Sequence, residues 1–132
     1  MKKIIIILIM AVTTGSTLTA QELKPEPKKQ FMQVTTVESV IGGGFGRSKM
    51  IVTNPDGSQK ESDMENLFSL AGINFKNIKE NESQIVKVLK TYTDEGWQID
   101  KVTSFTLSPG DNGQGIFMTR YLLSKPDEKK GF

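Results

Sequence analysis

Residues 42–49 read GGGFGRSK: four glycines in five positions, then Arg47 and Lys49. Glycine backbone followed by cations is a composition suited to holding phosphate. The spacing, however, misses each phosphate motif by a required residue. A Walker loop places a glycine five positions before Gly-Lys, but here Ile41 precedes Gly46 at that distance and Arg47 replaces the lysine. A dinucleotide fingerprint begun at Gly42 needs a glycine where Arg47 stands. A kinase-type loop ending in Phe45 and Gly46 needs one where Ile41 stands. The stretch therefore reads as a link between two strands, where glycine adopts positive φ at little cost. Phe45, an aromatic set among glycines, and Arg47 beside it are candidate contact residues.

The chain contains no His and no Cys. That excludes Ser-His-Asp and Cys-His nucleophiles, His- or Cys-ligated zinc and thiol redox chemistry. Carboxylates, Lys, Tyr and Arg are what is left for catalysis. Glu38, Asp63, Glu65 and Asp100 are scattered along the chain, and adjacent Asp94 and Glu95 at a helix end do not face one another. A glycosidase needs two carboxyls opposed across a cleft. The segment SPGDNGQG at 108–115 has the look of a calcium loop, but Asp111 is its one carboxylate and such a loop needs several. No metal or cofactor is expected. Asp111 and Asn112 join Phe45 and Arg47 as possible binding-loop residues. Arg120, Lys49 and Lys101 form a possible basic spot on a sheet, and neutralisation by Glu38 or Asp100 across strands is the plainer expectation.

Something must carry these loops, and the ends of the chain do not. Lys2 and Lys3, the apolar run Ile4 to Val12 and a small polar stretch ending in Ala20 have the layout of a secretory signal peptide over 1–20. The apolar run is too short for a membrane-spanning helix, which needs about 20 residues. Of 17 Lys and Arg, the signal takes two, leaving 15 against 15 Asp and Glu. A neutral exported chain lacks the basic excess of a nucleic-acid binder. Residues 21–30, QELKPEPKKQ, predict a polar extended leader, and 126–132 a disordered tail. Between them, 31–125 reads as a single domain.

Within that domain, Val, Thr and Phe predict a strand over 31–41 and another over 47–54, followed by an Asn54-Pro55-Asp56-Gly57 turn. Ser62 with Glu65 matches a capping box, which predicts a short helix toward Gly72; a hairpin strand through 58–62 competes with it. Asn81 with Gln84 predicts the cap of the main helix, about 82–95. Its stripe is Ile85, Val88, Leu89 and Tyr92, and Gly96 is its left-handed stop. Alternation puts Trp97, Ile99, Phe105 and Leu107 of strand 97–107 on one face. Lys101 breaks that face, which predicts a bulge or an edge position. In the last strand, 116–125, Phe117, Tyr121 and Leu123 share a face opposite Met118, Arg120 and Leu122. The sum is an α+β fold: an antiparallel sheet of about four strands with one main helix packed on one face. Gly96, Trp97 and Tyr121 carry its structure.

The sequence Glu95-Gly96-Trp97 closing a helix, with a final strand through Tyr121, Leu122 and Leu123, resembles a group of small, uncharacterised exported bacterial domains. The resemblance spans about 83–125 and implies the same α+β fold, with no activity attached. Together these readings predict an exported, non-enzymatic interaction or envelope-associated module with a protein or glycan partner. A small carboxylate-dependent hydrolase of envelope polymers is the competing reading.

Overall fold

The computed structural model describes residues 27–41, 46–108 and 115–127. In chain order the elements are β1 (Lys29–Ser39), β2 (Ser48–Thr53), β3 (Gln59–Met64), β4 (Phe68–Ser69), β5 (Gly72–Ile73), α1 (Phe75–Asp94), β6 (Gln98–Leu107) and β7 (Ile116–Pro126). Five strands form an antiparallel sheet in the order β3-β2-β1-β7-β6, and β4 and β5 form a separate short hairpin. The fold is α+β with one main helix, as expected. The sheet has five strands rather than about four.

The added strand is β3. The capping-box match at Ser62 and Glu65 does not start a helix. The Asn54 turn brings QKESDM back along β2, so the hairpin reading holds there. The Gly57 N–H donates to the Asn54 carbonyl at 2.9 Å with φ at +83°, and the Asp56 carboxylate accepts from the Ser58 N–H at 2.9 Å. Ser62 pairs with Met50 and Met64 with Ser48, which fixes the register. The short helix expected toward Gly72 is replaced by the β4–β5 hairpin, where Gly72 takes φ of +104°.

The main helix begins at Phe75 rather than about 82, because Asn74 and not Asn81 is its cap. The Asn74 side chain accepts from the Lys76 and Asn77 N–H groups at 3.2 and 3.3 Å. Asn81 lies inside the helix with 1% of its surface exposed. At the other end Gly96 has φ of +90°. The Gly96 and Trp97 N–H groups donate to the Thr93 and Tyr92 carbonyls, the double bond pattern that closes a helix on a left-handed glycine.

The apolar stripe of α1, from Ile85 to Tyr92, packs on Met32, Val34, Met50, Val52, Trp97 and Leu123. Register explains the set: Met32 pairs with Leu123, and Val34 lies between Tyr121 and Val52. Fully burying such a side chain contributes about 1.5–3 kcal/mol, as an upper estimate. Strand β6 departs from the expected alternation. A bulge between Ile99 and Lys101 shifts its phase. Ile99 stays on the helix side, opposite Leu123, but Phe105 pairs with Met118 and Leu107 with Ile116 on the other side. The expectation that Phe105 and Leu107 share a face with Ile99 therefore fails, because one inserted residue flips every side chain after it.

Candidate functional site

The sheet face away from α1 is built from the alternate residues of the same strands. It presents Val37 from β1, Ile51 from β2, Met118 and Leu122 from β7, and Phe105 and Leu107 from β6. Phe105 is 52% exposed and Leu107 54%. Arg120 stands among them, between Thr35 and Thr103 on the neighbouring strands. Two shallow concavities flank its side chain. One, of about 360 Å³, is lined by Thr103, Phe105, Met118 and Arg120. The other, of about 230 Å³, is lined by Gln33, Lys101, Thr103, Arg120 and Leu122.

The three basic residues on this face have different surroundings. Lys49 donates to Glu61 at 2.9 Å and stands 3.6 Å from Asp63, and these acids, Glu61 foremost, hold its ammonium above the ordinary lysine value. Arg120 and Lys101 share the second concavity, with no ion pair to either among the described residues. The expected neutralisation of Arg120 by Glu38 does not occur, because Glu38 pairs with Phe117 in register and so points to the helix side. A planar guanidinium and an ammonium beside a phenyl ring and a thioether suit a carboxylate carried on an apolar body.

The helix side holds a buried polar knot that the sequence reading did not identify. Asn81 Nδ2 donates to Glu38 Oε1 at 3.0 Å and to the Glu65 carbonyl at 2.8 Å, while Asn81 Oδ1 accepts from the Glu65 N–H at 2.8 Å. Ser48 Oγ accepts from the Ser39 N–H at 2.9 Å and donates to Asn66 Oδ1 at 3.1 Å. Asn77 Nδ2 donates to the Asn66 carbonyl at 2.8 Å. These bonds tie α1 and the segment after β3 to the sheet. An Asn amid the apolar spacing of a long helix was the available signal. Partial burial, with a contribution from the charge of Glu38, raises the Tyr121 phenol above its ordinary value.

Carboxylates gather at one place. Asp63, Glu65 and Glu80 line a groove of about 510 Å³ between β3 and α1, with Ser83, Gln84 and Lys87. It is open: the Asp63 side chain is 92% exposed. Among the described residues no group of three or more acids is placed to hold a metal ion.

Arg47 is exposed beside this region, in a concavity with Gly46, Lys49 and Asn66. A Cβ at Gly46 would strike the Ser39 side chain, so that glycine serves a close approach rather than a phosphate. Phe45, Asp111 and Asn112 lie outside the described residues. The described residues that flank them meet at one end of the sheet, where the Val40 N–H donates to the Gly115 carbonyl at 2.9 Å. Gly96 stops α1 as described. Trp97 is 7% exposed under Lys125, whose ammonium lies 4.9 Å from the ring centre, and Tyr121 packs at the margin of the core. No helix among the described residues is long and apolar enough to cross a membrane. No family model, curated protein or solved structure matches the chain.

Proposed function

We propose that this chain is an exported, non-enzymatic interaction module whose contact surface is the sheet face away from α1. Its partner is a protein presenting an acidic group next to an apolar side chain. The observation that carries the reading is Arg120 with Lys101, set beside Phe105, Met118 and Leu122 with no ion pair to either cation among the described residues. A partly apolar face with a few placed cations matches the make-up of contact patches, where aromatic residues, Met and Arg are enriched. The signal-peptide layout of residues 1–20, with Lys2 and Lys3 ahead of an apolar run, supports export.

The competing hydrolase reading has one observation behind it, the groove with Asp63, Glu65 and Glu80. A single screen separates the two. The purified domain is offered envelope glycans, peptidoglycan and envelope proteins, with both binding and turnover scored. The module reading expects binding without turnover, lost on Arg120→Glu and kept on Glu65→Gln. Turnover that disappears on Glu65→Gln or Glu80→Gln overturns it.

A further inference from the structure

The two edges of the five-stranded sheet are not alike. One edge is β3, six residues reading QKESDM, with Lys60, Glu61 and Asp63 along it. Charge on a short edge strand is a usual guard against pairing with another chain. The other edge is β6, ten residues long with every residue exposed. From 102 to 107 it reads VTSFTL: no charge, no Pro, no Gly, and mostly β-branched or aromatic residues. Asp100 and Lys101 are confined to the bulge at one end of it. The backbone groups on the outer side of β6 meet no strand among the described residues.

We propose that β6 is a self-association edge, and that two copies of this chain pair there antiparallel about a two-fold axis normal to the sheet. The inference concerns the strand edge and stands apart from the partner bound by the face. The occupant follows from symmetry and charge. Such an axis keeps each copy's helix side next to the other's helix side, so it must pass through a residue and not between two. Centred on Phe105, it sets Phe105 against its twin, Ser104 against Thr106, Thr103 against Leu107 and Val102 against Ser108. No charged side chain enters that overlap. The apolar row of one copy meets the apolar row of the other, and the Ser104–Thr106 row meets itself. Aromatic and β-branched residues paired across strands are the stabilising unit of a sheet. Addition through β3 instead would set Glu61 and Asp63 against Phe105 and Leu107, and a β3-to-β6 contact would leave open ends and grow without closing. Pairing β6 with β6 closes the assembly and leaves charged β3 at both outer edges. The formal net charge of the whole chain is only +2, so long-range repulsion between copies is weak.

The test uses the absence of cysteine. In the Cys-free chain, single substitutions Phe105→Cys, Val102→Cys and Ser62→Cys are oxidised and the products separated by mass. A residue on the axis meets its twin within disulfide reach, whereas twin positions at 102 are about 20 Å apart at ~3.4 Å per residue. The expected result is a crosslinked dimer from Phe105→Cys and none from Val102→Cys or Ser62→Cys. Light scattering across a dilution series gives a concentration-dependent dimer. The double variant Ser104→Lys with Thr106→Lys, which sets lysines opposite one another on an exposed row, is expected to be monomeric with an unchanged circular dichroism spectrum. A monomer at every concentration overturns the proposal. So does a dimer that survives the lysines, or crosslinking from Ser62→Cys alone.

Discussion

On the helix side of the sheet Val34 and Leu123 have no exposed surface. On the opposite side, on the edge strand β6, Phe105 and Leu107 keep about half of theirs. The difference is one of cover and of edge position, since Val102 on the helix side of β6 is 52% exposed as well. The α1 stripe lies on one face, and among the described residues no element lies on the other. The closed face holds the fold together, through Trp97 at one end and the Asn81 knot at the other. The open face carries Arg120 and Lys101 with no ion-pair partner among the described residues. Burial on one side is enough for the core, so residues on the other are free to answer to a partner.

Substitutions break or sharpen that contrast, and the largest effect belongs to the closed face. Trp97→Ala removes a 7%-exposed ring that packs with Met32, Leu123 and the α1 stripe. It is expected to cost about 3–5 kcal/mol, enough to unfold a domain of this size, and thermal melting by circular dichroism reads it. Asn81→Ala comes next. It strips two bonds from the Glu65 backbone and one from Glu38, and costs about 1–3 kcal/mol for each buried group left unpaired. Melting falls while the helix signal persists. Thr36→Val moves in the opposite direction. Thr36 is 1% exposed and its hydroxyl has no hydrogen-bond partner among the described residues, so exchanging it for a methyl of similar shape raises stability by about 1 kcal/mol.

The next effect is seen in titration. The folded Tyr121 phenol sits above its ordinary value of 10.0, first through burial and then through Glu38. Its stabilising share is present below the unfolded value and is lost as the pH rises through the folded one. Glu38→Gln should shift the alkaline absorbance titration of Tyr121 downward, toward 10.0 but not fully to it, because burial remains. The smallest effect is on the open face. Phe105→Ser should leave the unfolding free energy within about 0.5 kcal/mol of the parent, as for other surface changes, when both are compared as monomers. A large loss there would mean that a second layer covers the face.

Much of the fold was legible in the sequence because it rests on local chemistry. Gly96 after a periodic helix, the Asn54-Pro55-Asp56-Gly57 turn and the alternation in β7 each report a backbone requirement that neighbours cannot override. The start of α1 was not legible. Asn74 and Asn81 are both good caps by type, and only the tertiary position of Glu65 and Glu38 makes Asn81 an interior residue. The stretch 59–64 carries a capping-box pattern but folds as an edge strand, because pairing with β2 outweighs a weak helix signal. The bulge at Ile99 and Lys101 was anticipated from Lys101. Its consequence, that Phe105 changes face, needed the register with β7. The open face was legible in part: alternation in β7 put Met118, Arg120 and Leu122 together and Arg120, Lys49 and Lys101 were expected as a basic spot, but the place of Phe105 and Leu107 beside them needed the register. Residues from strands far apart in the chain meet there, and no spacing in one segment announces them.

The most direct test of the account is a photocrosslinking comparison between the two sides of the molecule in the native cell. A photoreactive amino acid is placed at Met118, on the open face, or at Val86, which is 64% exposed on the outer side of α1. The account predicts a discrete heterologous protein adduct from position 118, lost when Arg120→Glu is added, and none from position 86. An adduct from position 86 alone, or one from position 118 indifferent to Arg120→Glu, would contradict it.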